Sequence, residues 1–263
     1  MPARPTSHSV GRDGVLERAL ELLECFSADE PILSAAEIAQ RTELAVSSVH
    51  RLLAKLVAAG FVDKVKPHSY AVGLRLWKLG ELSPAMLDLR ESALPQMLRL
   101  YEATGENIQL AVIDGSTPST ARALYIARAV GPSSSPTLTR IGGAFPLHTT
   151  GVGKALLATQ EQEWLSAYIE AGLVKETQFS LTTGSELVRD LERVRARGYA
   201  VTREEMTLGT ASVAAAFDRI GHLPAAAIGV VTEVSRFRER ELSAMVLAAA
   251  QQLHAILSER FER

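Results

Sequence analysis

The chain has 263 residues, 47% of them hydrophobic, and a formal net charge of −2, enough to bury one large core or two smaller ones. No stretch approaches the roughly 18 apolar residues of a membrane helix, and the opening MPARPTSHSVGRDG lacks the apolar core of a secretory signal, so a cytoplasmic protein with no membrane partner is expected. A single cysteine, Cys25, excludes an internal disulfide and a cysteine-based zinc cluster.

Residues 1–14 are expected to form a disordered arm. The first helix is expected from Val15 to about Phe26, where Leu16, Ala19, Leu20, Leu23 and Phe26 recur at helical spacing and surround Cys25 with apolar neighbours. LSAAEIAQRT follows, and Ser34 with Glu37 three residues later predicts a capping box and a helix to about Arg41. After the turn TELA comes VSSVHRLLAKLVAAGFV. Val49, Leu52, Leu53, Leu56 and Val57 make one core-facing stripe, which leaves Ser47, Ser48, Arg51 and Lys55 on the opposite face with His50 at its margin. Hydroxyls near a helix start followed by basic groups suit entry into a major groove. Gly60 is expected to cap this helix in the left-handed conformation.

FVDKVKPHSYAVG then alternates as a basic hairpin, with Pro67-His68-Ser69 as its turn and Lys64 and Lys66 pointing the same way. A basic hairpin after a helix-turn-helix is a wing that lies along phosphates. The charge pattern agrees: residues 41–80 hold seven Lys or Arg against two acids, whereas the first forty hold three basic and seven acidic side chains. Residues 15–80 therefore form an expected winged helix-turn-helix that binds a double-stranded DNA operator through Ser47, Ser48, His50, Arg51, Lys55, Lys64 and Lys66. Ser83-Pro84 and Leu94-Pro95 predict two short linker helices over 81–104, closed by Gly105. Symmetric operators need two reading heads, so a homodimer, or a tetramer built as a dimer of dimers, is expected.

From Asn107 strands and helices alternate. NIQLAVID, ALYIARAV, PTLTRIG, YAVTREE, ASVAAAF and AAAIGVV read as strands, and GKALLATQEQEWLSAYIEAG, SELVRDLERVRARG and FRERELSAMVLAAAQQLHAILSERF as helices. The fold class is α/β multidomain, with residues 105–263 a domain large enough to enclose a ligand. Within it, Gly153-Lys154 suggests a phosphate loop, but the first glycine of that motif is His148 and its final hydroxyl is Ala155. A helix start that favours a carboxylate is the better reading of 148–153. Catalytic sets are missing from the sequence: there is no Gly-x-Ser-x-Gly elbow and no His-Glu-x-x-His, the six histidines are scattered, and Glu204 and Glu205, adjacent on a strand, point to opposite faces. No enzyme activity, metal or cofactor is expected. The alternative is a cytoplasmic small-molecule enzyme whose helix-turn-helix serves protein contacts.

The segment LSAAEIAQRTELAVSSVHRLLAKLVAAGFV resembles the N-terminal domain of IclR-type bacterial transcriptional regulators. Thr42, Leu44, Ser47, Val49, His50, Arg51, Leu52 and Leu53 agree with that family's helix-turn-helix and Ser48 replaces its Thr, while its Gly, Pro and Lys are Glu43, Ala45 and Val46 here. FPLHTTGVGKALLA and RARGYAVTREEMTLGTASVAAAF are similar to the family's later signatures. The resemblance implies a GAF-like effector domain that binds a small metabolite, often an organic acid, and alters DNA binding. By that alignment the family's pocket Asp falls at Thr202, its Cys at Ser212 and two Ser at Gly229 and Val231, beside Thr149, Thr150 and Gly151 at the helix start. Lost polar anchors cost a small polar ligand about 1–3 kcal/mol each, so a bulkier, more apolar effector is expected, an aromatic acid or a lactone.

Overall fold

A computed structural model describes residues 14–131 and 139–261. The expected arm at 1–14 and the start of the strand expected in PTLTRIG therefore lie outside the described residues, Gly14 excepted. The chain divides into two compact units, Met1–Pro84 and Ala85–Arg263.

In the first unit α1 (Val15–Glu24) is followed by β1 (Ile32–Ser34), α2 (Ala35–Thr42), α3 (Val46–Ala58), β2 (Val62–Lys66), β3 (Ser69–Val72) and α4 (Leu74–Gly80). The capping box forms: Ser34 Oγ accepts from Glu37 N–H and the Glu37 carboxylate accepts from Ser34 N–H. Val49, Leu52 and Leu53 are buried with Leu22, Leu33, Ile38, Val62 and Tyr70, and Leu56 and Val57 pack at the margin. In α1 the buried side centres on Leu22, with Ala19, Leu23 and Phe26 packed beside it, whereas Leu16 and Leu20 of the expected stripe are exposed. Burial raises the Cys25 thiol pKa, and Sγ donates to the Glu21 carbonyl, as suits a packed thiol.

Gly60 has φ +74°, and the Gly60 and Phe61 N–H groups close α3 onto the Val57 and Leu56 carbonyls. Glu43 is also left-handed, at φ 57°, at the place where the family pattern has glycine. The three short strands run in the order β1-β3-β2, all antiparallel. The register shifts between Lys64, opposite Tyr70, and Lys66, opposite Ser69. Such a bulge breaks the alternation that would aim both lysines the same way. Both are nevertheless exposed.

The second unit opens with α5 (Pro84–Thr104), a single helix where two were expected, with Pro95 inside it. An interior proline costs about 3 kcal/mol, but Leu89, Ala93, Met97 and Leu100 of α5 are buried. Their burial, at about 1.5–3 kcal/mol for each large side chain, outweighs the penalty. Glu91, whose carbonyl loses its donor, is on the exposed side, and Gly105, at φ +69°, ends the helix. Then come β4 (Asn107–Asp114), β5 (Arg122–Ala129), β6 (Ala144–Phe145), a 3-10 turn (Leu147–Thr149), α6 (Gly151–Ala158), α7 (Gln162–Glu170), α8 (Gly184–Arg197), β7 (Ala200–Arg203), β8 (Thr210–Phe217), β9 (Ala226–Glu233), a second 3-10 turn (Val234–Arg236) and α9 (Glu239–Phe261). The described part of PTLTRIG forms no strand; the edge strand is β6 instead.

The helix expected through 153–172 is broken into α6 and α7. Side chains occupy the carbonyls at the end of α6: Thr159 Oγ1 and Gln160 Nε2 donate to Leu156 O, and Arg195 Nε donates to Ala158 O. The six strands form one antiparallel sheet, ordered β6-β5-β4-β9-β8-β7. Alternation divides its faces. Ile108, Leu110, Val213, Ile228 and Val230 pack with α5 and α9, while Ala111, Ala214 and Ala227 pack with α6, α7 and α8. That second, short-chained face lets α6 approach closely and positions the site described next.

Candidate functional site

In the first unit the outward face of α3 carries Ser47, His50, Arg51 and Lys55, all exposed, with Ser48 half-buried beside them. None of these side chains, nor those of Lys64 and Lys66, makes a hydrogen bond or ion pair with another described residue. Two other basic residues of the region are engaged: Arg41 pairs with Glu30 at 2.7 Å, and Arg75 donates to the Ala59 carbonyl and lies over the Phe61 ring. The free polar and basic groups are thus concentrated on one helix and the adjacent hairpin. Val46, at the first position of α3, is 48% exposed.

In the second unit a small cavity of about 40 Å³ opens on the alanine face of the sheet. Thr149, Thr150, Gly151, Thr202, Ser212 and Val231, the residues expected at an effector pocket, line it. Gly229 does not. It lies beneath α6, where an added Cβ would come within 2.9 Å of the Ala214 Cβ and 3.1 Å of Val152 Cγ1. The rim is also narrower than 148–153: Val152 packs on the sheet, and Gly153 packs so closely that an added Cβ would strike Leu147. Sequence reasoning missed Gln109, Tyr125, Thr139, Glu205, Met206, Thr207 and Thr210, which complete the lining.

Many of the cavity's polar groups are already paired. Thr202 and Ser212 share a hydroxyl hydrogen bond of 2.6 Å, Gln109 donates to Thr139, Thr149 Oγ1 donates to Pro146 O and Met206 Sδ, and Tyr125 bonds Thr150. Burial pushes the Tyr125 hydroxyl pKa well above its ordinary value, so it stays protonated. Apolar groups of the lining include the Tyr125 ring, Met206 and Val231.

Behind the cavity Lys154 is 1% exposed. Its ammonium lies 2.7 Å from Asp190 Oδ2 and straddles the Glu205 carboxylate, at 2.9 Å from Oε1 and 2.7 Å from Oε2. Burial raises the Glu205 pKa, and the Lys154 charge opposes that rise without cancelling it. The lysine that suggests a phosphate loop is thus the centre of a buried ionic triad. Among the described residues no group of three or more His, Cys, Asp or Glu is arranged for a metal ion, and no helix is long and apolar enough to cross a membrane.

Comparison with known proteins gives these surfaces a context. Residues 84–255 match the model of the bacterial transcriptional regulator IclR C-terminal domain, and residues 15–66 match the IclR helix-turn-helix domain. The chain belongs to the IclR family. It is 34% identical to the HTH-type transcriptional regulator BhcR of Paracoccus denitrificans, over 90% of this chain and 85% of that one. It is 31% identical to the transcriptional repressor IclR of Escherichia coli, over 96% and 93%. A solved structure of an IclR homolog complexed with 4-hydroxybenzoate, from Microbacterium hydrocarbonoxydans, superposes with a TM-score of 0.83 at 24% identity, covering 94% of this chain and 100% of that one.

One residue of this IclR-family chain that attracts a catalytic reading is His148. It is buried and turned away from the cavity. Its Nε2 lies 2.9 Å from the Val174 carbonyl and so carries the proton; its Nδ1, 2.7 Å from the Tyr168 hydroxyl, accepts from it. Tyr168 is pushed up to about 12, also by burial. The imidazole therefore joins α7 and the following loop to the start of α6 in its neutral form, and burial lowers its pKa below the ordinary 6.5. The folded state resists a proton that the unfolded chain accepts, so stability is full above about pH 6.5 and falls as the pH drops below it. Thermal melts at stepped pH should show that decline in the wild type and a shallower one in His148→Gln; equal slopes would refute the assignment.

Proposed function

We propose that this chain is a ligand-responsive, sequence-specific DNA-binding transcriptional regulator, a repressor or an activator, acting in the cytoplasm. The observation that carries the reading is the outward face of α3, where Ser47, His50, Arg51 and Lys55 stand exposed with no intramolecular partner. In this reading α3 enters the major groove, with Ser48 at the groove edge, and Lys64 and Lys66 of the hairpin contact phosphates. Fluorescence anisotropy with DNA from upstream of the chain's own gene, titrated with salt and compared with scrambled DNA, tests it. Specific binding with a steep salt slope supports the reading, and binding no better than to scrambled DNA counts against it.

The same assay registers the family lysine replaced by Val46. Val46→Lys adds one phosphate contact, so the slope of log affinity against log salt should steepen by about 0.9. The added positive charge at a helix start costs the fold only about 0.3–1 kcal/mol. An unchanged slope would place position 46 away from the backbone.

The effector reading concerns the cavity beside α6. Thr149, Thr150, Gly151, Thr202, Ser212 and Val231 would contact the ligand, with Gly229 acting beneath them as a packing residue. Its prepaired hydroxyls and its apolar surfaces favour an aromatic acid over a small keto acid, and the 4-hydroxybenzoate bound by the Microbacterium homolog is an acid of that kind. A carboxylate would sit at the start of α6. Calorimetry should give micromolar binding with benzoate-type acids and none with glyoxylate; the reverse would overturn the ligand class. We also propose a homodimer, or a dimer of dimers, because a symmetric operator needs two copies of α3. Light scattering that finds only monomer at micromolar concentration would refute that.

A further inference from the structure

The cavity beside α6 is smaller than the ligand class proposed for it. At about 40 Å³ it has room for roughly three water molecules, whereas a benzene ring is taken up by a cavity of about 150 Å³. An aromatic acid therefore enters only where part of the lining gives way.

Most of the lining is fixed. Gln109, Tyr125, Thr202, Thr210, Ser212 and Val231 lie on strands paired within the one sheet. The start of α6 is held by the burial of every residue from Gly151 to Leu157. Thr139 accepts from Gln109 through its hydroxyl and from Arg128 through its carbonyl. Glu205 is held by Lys154, and its carbonyl accepts from Ser180 Oγ at 2.7 Å; the Thr207 carbonyl accepts from Thr210 Oγ1 at 2.7 Å.

Met206 is held less firmly. It projects from the turn between β7 and β8, which lies between two left-handed residues, Glu204 at φ 58° and Gly209 at φ +76°. Its side chain reaches to the start of α6, where Sδ lies 3.3 Å from Thr149 Oγ1. A thioether is a weak acceptor, and the Thr149 hydroxyl has the Pro146 carbonyl, also at 3.3 Å, as another partner. The side chain is half-buried beside the exposed Leu208 and Gly209, so a way out to solvent is at hand. Unbranched, with three rotatable bonds, methionine changes its packing more readily than any other group of this lining.

We propose that Met206 is the size-determining residue of the cavity: it fills space that an aromatic ring needs and turns toward solvent when the effector enters. The proposal rests on the effector role of this cavity. Only molecules with the thioether turned out accept the ring, so the cost of turning it out is subtracted from the affinity.

Calorimetric titration of the full chain with benzoate and with the larger 2-naphthoate tests this. Met206→Ala should bind benzoate about tenfold more tightly than the wild type, because no half-buried thioether has to be displaced, and its gain for 2-naphthoate should be larger. In the wild type carrying carbon-13 at its methionine methyls, the Met206 signal, identified as the one absent from Met206→Leu, should move on saturation with benzoate to the position of a solvent-exposed methionine. Affinity of Met206→Ala equal to or below that of the wild type overturns the proposal, as does a Met206 methyl that stays in place or shifts upfield against the ligand ring. Either of those results leaves the effector reading standing. Absence of benzoate binding by both proteins overturns both.

Discussion

Arg51→Glu should lower operator affinity by about a hundredfold or more at low salt. Loss of a bidentate arginine contact to a base or phosphate removes about 1–3 kcal/mol, and the new carboxylate adds repulsion from the polyanion. Because Arg51 is exposed and without an intramolecular partner, the fold should be unaffected, with stability unchanged within about 0.5 kcal/mol. Anisotropy and thermal melting on the same preparation therefore separate loss of reading from loss of folding. Lys55→Ala and Lys64→Ala should weaken binding less, and more evenly across DNA sequences, as phosphate contacts do. If Arg51→Glu still bound operator like the wild type, α3 would not be the reading helix, and the alternative of an enzyme that uses this module for protein contacts would gain.

The second large effect concerns stability. Lys154→Met should cost the second unit about 3–5 kcal/mol, because it leaves Glu205 as a buried carboxylate without its cation and half-buried Asp190 with the Arg193 guanidinium, 4.0 Å away, as its remaining ion-pair partner. At about 2–4 °C per kcal/mol for a domain of this size, the melting temperature should fall by about 10 °C. Burial already raises the Glu205 pKa, and its protonation removes the buried charge, so the deficit should shrink as the pH is lowered. Adding Asp190→Asn and Glu205→Gln to Lys154→Met should restore much of the loss, since replacing every partner of a buried ion cluster costs far less than removing one. A single variant as stable as the wild type would mean that the triad is solvated and weak.

The parts of this molecule legible in its sequence are those fixed by neighbours along the chain. The capping box needs only Ser34 and Glu37, Gly60 needs only its own backbone freedom, and β4 runs over the expected Asn107–Asp114 because its apolar residues are bounded by Gly105 and Gly115. What escaped depends on partners distant in sequence. The continuity of α5 through Pro95 is decided by the sheet packed against it, and β1 exists because β3, nearly forty residues later, pairs with it. The same holds for the site. Of the seven expected residues, six line the cavity, but Gly229, placed by alignment, lies beneath α6, because alignment records which column a residue occupies and not what covers it. Glu205 was set aside as half of an adjacent pair, whereas its meaning lies in Lys154, fifty-one positions away.

The floor beneath α6 is made of Ala111, Ala214, Ala227 and Gly229, and none of these lines the cavity. Their short side chains set the height at which Val152, and with it the first turn of α6, rides above the sheet. A single methyl group at position 229 would lift that turn and carry Thr150 and Gly151 away from Ser212, changing the depth of the cavity without altering any wall. The height of the cavity is thus set by residues that do not line it. Two chains with identical cavity walls and different floors would differ in the space those walls enclose.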